Sequence, residues 1–366
     1  MNIPLFKVST SEGDVEAVAQ VIRRGMNWAN GPEIQELENR VSEYVGTRYA
    51  VAFNSGTSAL HAALIALGIG RAHKVIIPSF TFPATANVVL AVGATPVFAD
   101  IEEETYGIDI DSIPVAPMTS HVAMPVHVGG CVCRDIYRIA ENFGTIEDAA
   151  ESLGAKSMMG NKAGTMGMMA MFSLCAPKII TTGEGGLLVT SRTDLYNRLI
   201  RIRDHGNPER EVLGYNWRMS SMTAALAISQ LSRIEEMIEK RRGNALYLRS
   251  LLEILYGRLE AQGADAFRLP VEPAGSRHIY QMFTIRVRGK DRDPLLTHLW
   301  DNGIGAKVYF PPVHLMPLYK KLGWKEGDLP VTEKVSKEVI TLPMYPDLTG
   351  MEMDYMAEVI GRYFKK

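Results

Sequence analysis

Cysteine is nearly missing from this chain: only Cys131, Cys133 and Cys175 occur in 366 residues. So sparse and odd a set excludes a disulfide framework and reads as reduced thiols in a cytoplasmic protein. Cys131 and Cys133, with His121 and His127 nearby, do not have the spacing of a zinc site, and no second cysteine pair follows. They are expected to be packed core thiols, with no metal bound. An excess of charge of one sign is missing too. Lys+Arg 39 against Asp+Glu 41 leaves a net charge of −2, which argues against bulk binding to nucleic acid or to an anionic membrane and leaves room only for a local phosphate pocket. Long apolar runs are absent. The most apolar stretch, 84–99, is interrupted by Asn87, Gly93 and Pro96 and is too short to span a bilayer. The opening MNIPLFKVSTSEGD has no basic stretch followed by an apolar one, so no secretory leader is expected. No internal repeat or low-complexity tract is visible.

What is present is the alternation of an α/β protein. The length suits two domains. Residues 33–45 place Ile34, Leu37, Val41 and Val45 on one helical face, and 49–53 reads as a strand running into Asn54-Ser55-Gly56-Thr57-Ser58 and a second helix. Strand-like runs recur at 74–77, 95–99, 121–128, 145–148, 169–173 and 186–190, with helical patterns between several of them, including 134–142. Right-handed crossovers make this a mostly parallel sheet covered on both faces. Residues 220–259 read as helical and contain no proline; a helix of that length bridges domains, so a boundary is expected within 245–265. A strand at 279–287, a helix at 294–302, proline-punctuated loops and a final helix at 351–364 make a smaller α+β domain. The division expected is 1–250 for a large domain and 251–366 for a small one, with the N-terminal segment able to lie on the small domain.

Three pieces of chemistry stand out. Gly56, Thr57 and Ser58 form a small-residue turn between strand and helix, where free backbone N–H groups and hydroxyls meet the positive end of a helix; that is a phosphate site or, more plainly, an N-cap. Asp148 closes a buried-looking strand, where open α/β sheets bind ligands. Lys178 lies among apolar neighbours just ahead of Gly183-Glu184-Gly185-Gly186, a place where a desolvated amine can be held. Together they supply what pyridoxal 5'-phosphate (PLP) requires: an amine to hold it covalently, a carboxylate for its ring nitrogen and a cradle for its phosphate.

The chain resembles the DegT/DnrJ/EryC1/StrS family of PLP-dependent nucleotide-sugar aminotransferases nearly end to end. The resemblance is carried by NSGTSALHAAL at 54–64, PSFTFPATANVVLAVGATPVFAD at 78–100, EDAAESLGA at 147–155 and FSLCAPKIITTGEGG at 172–186. GYNWRMSSMTAALAISQL at 214–231, PPVHLMPLYKKLG at 311–323 and TLPMYPDLT at 341–349 extend it. The resemblance implies the PLP-dependent transferase fold type I, with Lys178 as the cofactor-bearing lysine and Asp148 as partner of the ring nitrogen. It further implies that Gly56, Thr57, Ser58 and Ser173 bind the phosphate, that Phe82 stacks on the ring and that Glu151 lies beside it, where many members have Gln or His. Asn216 would reach the phosphate of the neighbouring subunit, making a homodimer with shared sites, and His314 would lie near the sugar. Cys175-Ala176-Pro177, ahead of the lysine, departs from the aromatic or Asn-containing run usual there.

The reaction so implied moves an amino group from an amino acid, L-glutamate by resemblance, to a nucleotide-linked keto-deoxy-sugar, with C4 amination of a 4-keto-6-deoxyhexose favoured because the DAAES run resembles perosamine synthases. A 3-keto sugar or cyclitol ketone is the alternative substrate. A dehydratase of this fold carries histidine in place of the lysine, so Lys178 argues against it. A regulator that kept the fold would need neither Lys178 nor Asp148.

Overall fold

The computed structural model describes all residues except 114–120, 262–264, 289–290 and 365–366. The chain opens with α1 (Glu12–Arg24) and α2 (Pro32–Val45), and continues through β1 (Tyr49–Phe53), α3 (Gly56–Ala66), β2 (Lys74–Pro78), α4 (Pro83–Ala91), β3 (Thr95–Ala99) and β4 (His121–Ala123). Next come α5 (Ile136–Asn142), β5 (Gly144–Asp148), β6 (Met169–Ser173), β7 (Gly186–Thr190), α6 (Thr193–Arg203), α7 (Ser221–Leu231) and α8 (Ile234–Glu260). The remainder is β8 (Phe267–Arg268), β9 (Phe283–Val287), α9 (Arg292–Asp301), α10 (Pro317–Lys320), α11 (Pro330–Glu338), β10 (Val339–Leu342) and α12 (Gly350–Phe364).

Seven strands form one sheet in the order β1-β7-β6-β5-β4-β2-β3. Only β7 runs antiparallel to its neighbours, β1 and β6. Side chains alternate across a strand, and the alternation here feeds two cores. Ala50, Ala52, Leu187 and Val189 point to the face covered by α2, α5 and α7. Val51, Phe53, Leu188, Met169 and Met171 point to the face covered by α3, α4 and α6. Burial on both faces explains why these strands read as continuous apolar runs.

Three expectations about elements need correction. The helix expected over 220–259 is two helices, broken at Ser232 and Arg233. The Ser232 hydroxyl donates to the Ser229 carbonyl, competing with the helical ladder, while Arg233 turns to pair with the buried Asp14 on α1. The strand expected over 121–128 ends at Ala123, because Pro125 cannot donate to a ladder and the chain then turns through Val128–Gly130. The strand expected over 279–287 begins only at Phe283, after Tyr280 adopts a φ of 49°.

Helix α8 belongs to two cores. Ile234, Met237 and Ile238 pack with the large sheet, whereas Ala245, Leu248, Leu252, Leu255 and Leu259 pack with the antiparallel sheet β10-β9-β8 and with α9 and α12. The handover lies between Ile238 and Ala245, ahead of residue 250 and inside a continuous helix. Ile3 joins the small-domain core: its N–H donates to the Gly303 carbonyl at 2.8 Å, and its own carbonyl accepts from Gly305 at 2.7 Å. Among the described residues no helix is long and apolar enough to cross a membrane. Cys131 and Cys133 are buried, and burial pushes both thiols up, Cys133 to about 12.

Candidate active site

The carboxyl ends of β1, β2, β5 and β6 open onto one cavity of about 310 Å³, closed on its other side by the small domain and the N-terminal segment. Such an edge is where open α/β sheets bind ligands. Asp148 ends β5 and reaches the cavity. Its Oδ2 accepts from the Thr85 hydroxyl at 2.8 Å and its Oδ1 from the Ala150 N–H at 3.2 Å. Burial holds its pKa above the usual carboxylate range, the Thr85 and Ala150 bonds offset part of that, and Glu151 adds to the rise.

Lys178 follows β6 in a turn stabilised by its own N–H donating to the Cys175 carbonyl at 3.0 Å. Its Nζ donates to Glu151 Oε1 at 3.0 Å. Glu151 is aimed by the Gly129 N–H, which donates to Oε2 at 2.8 Å. Burial works to lower the Lys178 ammonium, but the pull of Glu151, Cys175 and Asp148 together outweighs it, so its pKa stands above the ordinary lysine value. Glycine is required beside this turn: a Cβ on Gly130 would sit 2.7 Å from Ile279 and 2.8 Å from the Gln281 nitrogen.

The 55–58 turn is built by the start of α3. Ser55 caps it, its Oγ accepting from the Ser58 N–H at 3.0 Å, and its carbonyl accepts from the Ala59 N–H. Because the first N–H groups of a helix have no intrahelical partner, those of Gly56 and Thr57 are left facing the cavity. The turn lies tight against β7: a Cβ on Gly186 would meet the Ser55 carbonyl at 2.3 Å. Ser173, at the end of β6, lines the same cavity. Phe82, at the start of α4, also lines it and is 62% exposed, an apolar ring face held open.

Lys178, Asp148, Glu151, Gly56, Thr57, Phe82 and Ser173 therefore meet around one cavity. Ser58 lies in the same turn, its N–H spent on the cap. Asn216 does not join them: it is exposed, and its carbonyl accepts from Asn54 at 3.4 Å. His314 is not brought to the cavity either. It is fully buried, with Nδ1 2.6 Å from Ser79 Oγ and Nε2 3.2 Å from Glu333 Oε1, and so it ties the end of β2 to α11. Burial lowers its pKa, against a smaller opposing pull from Glu333. The order Ser79–His314–Glu333 is that of a nucleophilic triad, but Ser79 is buried and is not among the residues that line the cavity.

Several groups at the cavity carried no signal strong enough to find in the sequence. Thr85 lies within the SFTFPATAN run and orients Asp148; Thr81 in turn lies 2.9 Å from Thr85. Gly129, Gln281, Tyr309 and Thr341 arrive from distant parts of the chain.

The donor set fits PLP group by group: a buried amine, a carboxylate for a cationic ring nitrogen, an aromatic face, and a helix N-terminus with hydroxyls for a dianionic phosphate. This fold with this site defines a PLP-dependent aminotransferase of fold type I. The chain belongs to the DegT/DnrJ/EryC1/StrS aminotransferase family, whose model matches residues 9–361. It is 34% identical to a pleiotropic regulatory protein of Geobacillus stearothermophilus, covering 100% of this chain and 99% of that one. It is 32% identical to the GDP-perosamine synthase of Escherichia coli O157:H7, covering 99% and 98%. The fold matches a putative sugar aminotransferase of Streptococcus pneumoniae, Spr1654, in its PMP form, with a TM-score of 0.91 at 25% identity over 100% of this chain and 98% of that one.

When bound, the cofactor supplies an electron sink for the pair released as a Cα–H bond breaks. Asp148, its carboxylate fixed by Thr85, is the group that would pair with the ring nitrogen and keep it protonated. Nζ of Lys178 is the amine that would hold the cofactor, and it is placed to carry a proton taken from Cα. Glu151 stays beside Nζ and accepts its hydrogen bond. Leu5, Phe6 and Phe310 add apolar surface to the same cavity.

Proposed function

We propose that this enzyme transfers an amino group from an amino acid, L-glutamate, to the ketone of a nucleotide-linked keto-deoxy-sugar, and that C4 of a 4-keto-6-deoxyhexose is the carbon aminated. The observation that carries the reading is the cavity itself. Across from the lysine, the small domain lines it with the neutral hydrogen-bonding groups Thr341, Tyr309 and Gln281. A hydroxyl-rich substrate is recognised by such groups. Similarity over nearly the whole chain to GDP-perosamine synthases, at 30–35% identity, supports the sugar class. The reading includes a homodimer: Asn216, exposed and turned away from its own cavity, would donate to the phosphate held by the partner.

The test incubates the holoenzyme with 15N-labelled glutamate and a panel of GDP- and UDP-linked 4-keto-6-deoxyhexoses, alongside 3-keto sugars and cyclitol ketones. A nucleotide sugar heavier by one labelled amino group at C4 is the expected product. Label appearing only in a cyclitol, or in no sugar at all, defeats the reading.

A further inference from the structure

Gln281 is buried, 6% exposed, and lines the cavity. Its side-chain amide is used on one side only. Nε2 donates to the Pro177 carbonyl at 2.6 Å, next to Lys178. Oε1 is buried and, among the described residues, has no hydrogen-bond partner. A buried acceptor left without a donor costs free energy and calls for an explanation.

The side chain is not free to leave. The Ile279 N–H donates to Gly130 and the Met282 N–H to Gly129, both at 3.0 Å. On the other side Arg241 donates to the carbonyls of Tyr280, Gln281 and Met344. Tyr280, at a φ of 49°, sets the bend that turns Gln281 toward the large domain. The same two-glycine turn aims Glu151 at Lys178. The backbone on either side of Gln281 is thus tied to the turn that aims Glu151, and its Nε2 to the residue before Lys178.

What could satisfy it? Only a donor does. An amino-acid substrate has one, its ammonium, and that nitrogen is the atom being transferred and is engaged by the reaction; its carboxylates only accept. A sugar presents hydroxyl donors on the carbons flanking its ketone. We infer that Gln281 Oε1 accepts the hydroxyl next to the carbonyl of the acceptor sugar, making Gln281 a specificity residue for the second half-reaction alone. The inference rests on the sugar reading above and adds to it the group that selects a hydroxylated ketone over a deoxygenated one.

The experiment follows the two half-reactions separately in the holoenzyme, by the visible band of the lysine-bound cofactor. Glutamate discharges the band, and GDP-linked 4-keto-6-deoxymannose or its 3-deoxy analogue restores it. The wild type should favour the hydroxylated sugar by roughly 5- to 150-fold, the range of one lost buried hydrogen bond. Gln281→Met should erase that preference while discharging with glutamate at close to the wild-type rate. Gln281→Glu keeps an acceptor in place and serves if the methionine variant does not fold; it should retain the preference. A Gln281→Met enzyme slowed equally in both half-reactions, with its preference intact, would show Gln281 only bracing Pro177 and overturns the inference. So does equal use of the two sugars by the wild type, or loss of the preference in Gln281→Glu. If the wild type restores its band with neither sugar, the parent reading fails and this one fails with it.

Discussion

Glu147 and Asp148 are consecutive residues of β5, both buried, and they face opposite sides of the sheet. Glu147 accepts four hydrogen bonds: from His127 Nε2 at 2.9 Å, from the Gly164 and Met166 N–H groups at 2.7 Å, and from Gly167 at 2.6 Å. Asp148 accepts two, and burial raises its pKa. One carboxylate is saturated by the protein. The other is kept short of partners on the side where a cofactor cation would supply one. The same contrast separates His314, with both ring nitrogens engaged, from Gln281, with an open oxygen. Partner count, more than residue type or burial, distinguishes groups that hold this fold from groups that await a ligand.

The contrast is sharpened most by removing the reacting groups. Lys178→Ala should lower turnover by at least about 10²- to 10⁴-fold, the worth of a positioned proton carrier, with the far-ultraviolet circular dichroism unchanged. Measurable transamination near the wild-type rate would remove Lys178 from the site. Asp148→Asn should cost on the order of 10²- to 10³-fold in kcat, typical of one preorganised electrostatic contact, while PLP still binds.

Asp148→Asn should also change stability in a direction a structural carboxylate would not. The folded pKa of Asp148 lies above its ordinary value of 3.8. Ionisation in the cofactor-free protein therefore opposes folding: the cost is absent below the unfolded pKa and complete above the folded one. The amide escapes it, so the variant should melt above the wild type at neutral pH. The gap should close as pH falls toward 4, and PLP should narrow it. Thermal melts of the cofactor-free proteins across that range test the sign.

Glu147→Gln is the opposite case. An amide nitrogen replaces one acceptor oxygen and leaves two buried donors unpaired, at about 1–3 kcal/mol each. Stability should drop by about 2–6 kcal/mol in urea, with kcat of the folded fraction within a few-fold of wild type. A stable but inactive Glu147→Gln would break the comparison.

The smallest expected effect is at Asn216, where one hydrogen bond to a charged acceptor is at stake. Asn216→Ala should weaken PLP retention by about tenfold or more, following from roughly 1.5–3 kcal/mol. If the bond is made across a dimer, mixing this variant with Lys178→Ala restores activity, because half of the mixed sites carry neither defect. Exchange of subunits without recovery, from an inactive Asn216→Ala parent, counts against the shared site.

Much of this was legible locally. The strands at 49–53, 95–99, 169–173 and 186–190 begin and end where the apolar alternation does. Asp148 ends a strand, and the 55–58 turn and Lys178 lie in the segments that leave two others, β1 and β6; the carboxyl end of such a strand is a site by topology. The break at Ser232 was hidden because nothing in a helical period reports that Arg233 is claimed by Asp14, 219 residues earlier.

The sequence by itself determined the order of strands and helices, the two-faced burial of the sheet and the kinds of group at its carboxyl edge, because those depend on periodicity and near neighbours. Only the tertiary structure decided which of those groups are complete. Gln281 meets Pro177 across 104 positions, Gly129 meets Glu151 across 22, and Glu147 collects donors from the segment 164–167. A hydrogen bond forms within about 3 Å of space whatever the separation along the chain. Saturation or openness is therefore a property of the folded neighbourhood and cannot be read from the residue alone.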